Sequence, residues 1–272
     1  MKNLFSRLLI TPALLTGMGA LTAAAVLLFL GPLWSCIPLI LYIVSCTVAP
    51  FFPRWGYFLP LISRGDSTRR LVALTFDDGP DPVMTPLALS ILRQRGIKAT
   101  FFVTGRQTVK HPDLLQEIIK DGHTVGNHSY DHDVLLMFRS SRRLAQEIDR
   151  LQEALSSFGI CPLVFRPPVG ITNPRLGPIL HQRKMSCVNF DCRAFDCGNR
   201  RIKGLSGKLL KKVRMGSILL IHDIRYSEKT DVNLWSSELE RLLDGIDERG
   251  YKVAPLQEVI GRPVMESVLS VA

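Results

Sequence analysis

Two kinds of apolar pattern run through this chain. Near the N-terminus the apolar residues are continuous: Leu8 to Leu30 and Leu33 to Phe52 hold no charge over 23 and 20 positions. As helices these stretches are about 35 and 30 Å long, each enough to cross a bilayer core. Only the breaker pair Gly31-Pro32 separates them. Gly17, Gly19, Ala20 and Ala23 would let the helices approach closely, and Trp34, Trp55 and Tyr57 fall near the ends, where amphipathic rings favour a membrane interface. The pattern predicts a two-helix transmembrane hairpin over residues 1–60. A cleaved signal peptide is the competing reading, since Thr22-Ala23-Ala24-Ala25 offers small residues, but the apolar run is too long and continues past that point.

Beyond a polar linker at 61–70 the apolar residues fall into short runs of alternating strand and helix character. Leu71-Val-Ala-Leu-Thr-Phe76 predicts a strand, Met84–Arg95 a helix stopped by Gly96, and Ala99–Val103 a strand. Helices are predicted at 113–120, 141–158 and 174–183, with strands at 123–125, 163–165 and 186–190 between and after them. A basic helix around Leu209–Val213, a strand at Ser217–Ile221, a helix at Ser237–Arg249 opened by a Ser237/Glu240 capping pair, and a strand at Tyr251–Ala254 complete the series. About seven such units imply a mainly parallel sheet with helices outside, a closed or nearly closed α/β barrel whose site lies at the strand C-termini. No internal repeat is visible. The expected globular domain is 71–272.

Charge and cysteine usage narrow the setting. Net charge is +10; residues 1–60 contribute +3 through Lys2, Arg7 and Arg54, with no acid, and the remainder +7. There is no basic run interleaved with aromatics, so the balance predicts an anionic lipid face or anionic substrate and no nucleic acid. Lys2 and Arg7 precede the first span, and Arg54, Arg64, Arg69 and Arg70 follow the second. Both flanks, and the globular domain, are therefore expected on the cytoplasmic side. The 6 cysteines make no disulfide or zinc-knuckle spacing, in keeping with a reducing compartment.

The polar residues that interrupt this pattern fall where strands end. The first strand runs into Asp77-Asp78-Gly79-Pro80, a turn sequence that delivers two carboxylates to one end of the sheet. His128 and His132, four apart, follow the third strand and are able to share a metal with Asp78, leaving coordination positions open. Arg166 follows the run Leu163–Phe165, where it is suited to hold a carboxylate ionised. Asp196 lies beyond Phe190, and His222 follows the apolar run Ile218–Ile221, a position that suits a general acid.

Together these stretches resemble the NodB-type polysaccharide deacetylases, carbohydrate esterase family four. Thr75–Pro80 matches the TFDDGP motif, His128–His132 the H-[ST]-x-x-H motif, and Arg166–Gly170 the R-x-P-x-G motif; Asp196 and Leu220–His222 match the last two. They occur in family order over residues 71–255. The resemblance implies a distorted (β/α) barrel of the NodB-homology type in a membrane-anchored bacterial member. Asp78, His128 and His132 would bind a divalent metal, zinc by family habit. Asp77 would be the base acting on water at that metal, Arg166 its tether, and His222 the acid for the leaving amine, tuned by Asp196. Val169 would offer a backbone N–H to the oxyanion, and Leu220 would line the acyl slot. The implied reaction removes an acetyl or formyl group from an N-acylated amino sugar in a polysaccharide or a lipid-linked glycan precursor at the inner membrane. A non-catalytic membrane-anchored binding protein is the alternative from another class. Val169 and Cys197 stand where the family often has an aromatic and a Trp, which weakens the expectation of a long-glycan groove.

Overall fold

The computed structural model describes residues 10–52 and 54–267. Leu8 and Leu9 of the first expected span, the charges Lys2 and Arg7, and residues 268–272 of the expected domain lie outside them. Helices α1 (Pro12–Leu27) and α2 (Pro32–Val48) continue through short 3₁₀ turns into apolar helices of 19 and 20 residues, long and apolar enough to cross a membrane. Thr11 caps α1 by accepting the Leu14 N–H at 3.2 Å, and Pro12 takes the first helical position, where a missing N–H is harmless. The reversal falls at Gly31, whose φ of 132° is open only to glycine. The helices meet where Gly17 faces Tyr42, whose ring would lie 2.9 Å from an added Cβ. At the foot of the hairpin the Tyr57 hydroxyl is hydrogen-bonded to Thr16 of α1 and Ser45 of α2, at 2.7 and 2.6 Å.

The segment expected as a linker begins with an edge strand, β1 (Leu61–Ile62). Then come β2 (Leu71–Asp77), α3 (Met84–Gln94), β3 (Thr100–Val103), α4 (Gly105–Lys110), α5 (Pro112–Lys120) and β4 (Thr124–Asn127). The middle of the chain forms α6 (Ser141–Ser156), β5 (Ile160–Pro162), β6 (Val164–Phe165), α7 (Leu176–Gln182), β7 (Ser186–Val188) and β8 (Cys192–Arg193). It closes with α8 (Leu205–Leu210), β9 (Ile218–His222), α9 (Val232–Glu248), β10 (Lys252–Val253), α10 (Leu256–Ile260) and β11 (Met265–Ser267). The main sheet runs β1-β7-β6-β4-β3-β2-β9-β8 with β10 also on β2, and all its strand pairs are parallel. One antiparallel bridge, Arg64 to Ser217, ties the chain after β1 to the start of β9. The expected barrel is thus a curled half-barrel.

Strand parity separates its two cores. On β2, Val72, Leu74 and Phe76 face the outer helices, where Phe76 stacks on Phe101 at 4.8 Å and lies 6.5 Å from Trp235 of α9. Ala73 packs inward with Phe102, Val188 and Leu220, so Thr75 and Asp77, of the same parity, point inside. That alternation decides which carboxylate the barrel interior receives.

Two helix starts differ from expectation. The helix expected at Ser237 begins at Val232, capped by Asp231, whose Oδ1 accepts the Leu234 N–H at 2.9 Å. The apolar face that seats it already starts at Trp235, so Ser237 is interior and its hydroxyl donates back to the Leu234 carbonyl. The basic helix sits earlier than expected, at Leu205–Leu210, after Gly204 in the left-handed region.

Candidate active site

Register brings the polar strand ends together. Asp77 lies beside His222 across the β2–β9 pair, and Asn127 lies beside Phe165 across β4–β6, so the next residues, His128 and Arg166, emerge side by side. Asp78 adopts φ 78°, which swings its side chain out of strand alternation and into the same space as Asp77. His132 (φ 52°) and Val169 (φ 54°) also sit in the left-handed region, strain for residues with a Cβ that concentrates at this end of the barrel.

Arg166 is fully buried, and every edge of its guanidinium is used. One nitrogen donates to Asp77 Oδ1 at 2.6 Å and to Thr75 Oγ1 at 2.8 Å; the others donate to the Asn189 and Val188 carbonyls at 3.1 and 3.2 Å. Its plane lies 3.8 Å from the centre of the Phe102 ring. Burial lowers the Arg166 pKa while the Asp77 charge opposes that fall. Asp77 is itself buried, so the pair leaves its second oxygen as the one turned towards the cluster, 3.7 Å from His128 Nε2.

Asp78 Oδ1 lies 3.3 Å from His128 Nε2 and 3.0 Å from His132 Nε2. One donor atom from each of the three residues falls within 4.8 Å of the others. His128 Nδ1 is 2.8 Å from the Arg166 carbonyl, which can only accept, so Nδ1 carries the hydrogen and Nε2 presents its lone pair to Asp78. Asp78 Oδ1 is buried with no hydrogen-bond partner. Acceptors converging in this way repel one another unless a cation or added protons sit between them, and two imidazoles plus one carboxylate fit a divalent cation such as zinc with positions to spare. Burial would raise the Asp78 pKa, but His132 and the His222 charge outweigh it and hold the carboxyl well below the usual range.

Across the slot, His222 Nδ1 meets Asp196 Oδ2 at 2.8 Å and its Nε2 lies 4.0 Å from Asp78 Oδ2. Burial pushes the imidazole pKa down; the Asp196 hydrogen bond and charge reverse this and raise it to about 9. Asp196 is correspondingly lowered, its own burial being outweighed by His222. Eight of the nine residues singled out from the sequence, Val169 and Leu220 among them, line one slot of about 540 Å³, and the ninth, Arg166, sits behind Asp77.

Several supports carried no signal that sequence reasoning used. Glu147 on α6 is buried and accepts the N–H groups of Tyr130 and Asp131 at 3.1 and 2.7 Å, fixing the turn that carries His132. Asp223, next to His222, accepts from Thr85 and from the Gly79 N–H at 2.6 and 3.2 Å, and burial raises its carboxyl to about 7. Asp81 accepts the Val83 and Met84 N–H groups at 2.9 Å each and so fixes the turn that leads into α3. The slot's aromatic walls come from Phe190, Phe195 and Tyr226, not from positions 169 and 197.

A larger cavity of about 820 Å³ lies between the hairpin foot and α7, but its lining holds no carboxylate and it is not the centre of the chemistry.

Fold and cluster together define a half-barrel α/β protein with a candidate metal centre at its strand C-termini. Residues 64–188 match the family described as polysaccharide deacetylase. The chain is 31% identical over 195 residues to a peptidoglycan-N-acetylglucosamine deacetylase of Listeria monocytogenes, which covers 71% of this chain and only 40% of that protein. It is 28% identical over 196 residues to the peptidoglycan-N-acetylglucosamine deacetylase of Bacillus cereus, covering 71% and 90%. The solved structure of the peptidoglycan deacetylase PdaC from Bacillus subtilis matches with a TM-score of 0.61 at 30% identity, over 71% of this chain and 91% of that one. The chain belongs to the polysaccharide deacetylase family.

Proposed function

We propose that this protein is a metal-dependent hydrolase that removes the N-acetyl group from an amino sugar of a glycan or a lipid-linked glycan precursor. The observation that carries the reading is the convergence, in one slot, of a three-ligand cluster with two separate ion pairs, Asp77–Arg166 and His222–Asp196. A divalent cation held by Asp78, His128 and His132 would supply a Lewis acid that acidifies water and polarises the acyl carbonyl. Asp77, held and aimed by Arg166, takes the proton from the attacking water. His222, kept protonated by Asp196, gives a proton to the departing amine, so that amide and water become carboxylate and amine. The Val169 N–H is assigned to the developing oxyanion and Leu220 to the acyl methyl. The similarity to peptidoglycan-N-acetylglucosamine deacetylases supports an N-acetylated glycan substrate.

The two apolar helices and the free cysteines support a bacterial inner-membrane anchor with the domain on the cytoplasmic side. A lipid-linked substrate gains support from the 820 Å³ apolar cavity, since Gly170 lines the slot while Ile171 and Thr172, next in sequence, line that cavity. The test is acetate release from N-acetylated sugars, soluble and lipid-linked, by detergent-solubilised protein with zinc. Release that vanishes in Asp77→Asn supports the assignment; release of equal rate in that variant overturns Asp77 as base. Cleavage of the domain by protease added outside intact cells would overturn the cytoplasmic placement.

A further inference from the structure

We propose that the rim of the slot is a phosphate subsite, in which Arg193, Arg200 and Arg225 receive a phosphate carried by the amino sugar. The inference rests on the amino-sugar reading of the slot and narrows its substrate to a phosphorylated one. All three arginines line the slot, and none makes an ion pair with a carboxylate among the described residues. Two sit over aromatic rings: the guanidinium carbon of Arg193 lies 4.1 Å from the centre of Phe195, and that of Arg200 3.6 Å from the centre of Tyr226. Stacking fixes the guanidinium plane and leaves its N–H edges free to bind oxygen.

The positive charge continues outward. A depression of about 490 Å³ shares Arg200 and Tyr226 with the slot and adds Arg201, Lys203 and Lys229. Its one acid, Asp231, is engaged in capping α9. The acids inside the slot are committed elsewhere: Asp77 to Arg166, Asp196 to His222 and Asp78 to the cluster. A neutral glycan would leave this row of cations facing one another unpaired. One carboxylate is satisfied by one arginine, whereas a phosphate presents enough oxygens for several. Phe195 and Tyr226, exposed beside these cations, offer faces for the sugar ring.

The phosphate has two sources, a soluble sugar phosphate or the phosphodiester headgroup of a lipid-linked sugar, and binding measurements separate them. The probes are glucosamine 1-phosphate, methyl glucosaminide and an alkyl phosphodiester of glucosamine; none carries an acyl group, so none turns over. Calorimetry on the full chain with its metal, in uncharged detergent, gives the affinity ratio of phosphate to methyl sugar. The expected ratio is about 10- to 100-fold, the range of a charge-assisted hydrogen bond, and it shrinks as salt is raised. Arg200→Gln with Arg225→Gln collapses the ratio towards one, and the double Lys variant recovers part of it. A tighter alkyl phosphodiester identifies the lipid headgroup; equal affinities identify the soluble phosphate. A ratio near one in the unmodified protein overturns the subsite, as does a ratio that survives in the double Gln variant, because the phosphate then sits on the metal. Acetate release from N-acetylglucosamine 1-phosphate, its alkyl phosphodiester and methyl N-acetylglucosaminide is followed in parallel. Its absence strikes the deacetylase reading, whereas a lost phosphate preference in an active enzyme strikes only the subsite.

Discussion

Replacing Asp196 by Asn should convert a slow loss of activity at high pH into a steep one near neutrality. In the folded protein Asp196 Oδ2 lies 2.8 Å from His222 Nδ1, and the imidazole titrates at about 9 instead of 6.5. Asn keeps an oxygen that accepts the same hydrogen bond, so the ring orientation survives while the charge is lost. The His222 pKa then falls towards 6.5, a change in proton affinity of about 3 kcal/mol. At pH 8 the protonated fraction drops from about 0.9 to about 0.03, a loss of roughly 30-fold in kcat/KM, whereas at pH 6 the loss stays within about twofold. A cation at Asp78 lowers both pKa values and moves the pH at which the two proteins diverge, and the sign of the change stays the same. The assay is kcat/KM for acetate release across pH 5.5–9.5 in both proteins. A ratio of the two rates that stays constant across that range would refute the acid role of His222.

Other predictions test the supports of the site. Arg166→Met leaves Asp77 buried without its cation and should destabilise by about 3–5 kcal/mol, a fall of roughly 6–20 °C in Tm by thermal unfolding; an unchanged Tm would show that Asp77 is not held as a buried pair. Glu147→Ala frees the Tyr130–Asp131 turn that carries His132 and should weaken metal affinity about 10- to 100-fold in a chelator competition, with the fold retained. Burial holds His123 neutral down to about 4, against an ordinary 6.5. The unfolded chain therefore takes up a proton the native state refuses, and stability should fall as pH drops from 6.5 to about 4 and then level off. Denaturant melts of the full chain and of His123→Asn, in which this fall is reduced, check the sign.

Much of the site was legible because its residues interrupt otherwise apolar strands. Asp77, Asp78, His128, Arg166 and His222 each stand where a buried run ends, and in a parallel half-barrel all such ends meet on one side. The pair of apolar helices was legible for a similar reason, since two uncharged runs are broken only at Gly31-Pro32. Glu147 was not, because its partners are two backbone N–H groups that only folding brings beside α6. Asp223 was hidden by its neighbour: it closes on Gly79, where an added Cβ would meet its carboxylate at 2.3 Å, a contact made across the sheet. β1 spans two residues, too few for any period to show, and exists only because β7 offers an open edge. The start of α9 was displaced because Ser237 and Glu240 imitate a cap, while the apolar face that decides the matter begins with Trp235.

The central claim is that the Asp78–His128–His132 cluster holds the cation on which hydrolysis depends. The measurement that tests it most directly is a titration of chelator-treated, detergent-solubilised protein with zinc, following bound metal and acetate release together. The account predicts that activity rises from near zero in step with metal and saturates at one ion per chain, and that His132→Ala lowers metal and activity alike. Full activity in the metal-free protein, or one tightly bound zinc per chain in a protein lacking all three ligand side chains, would contradict it.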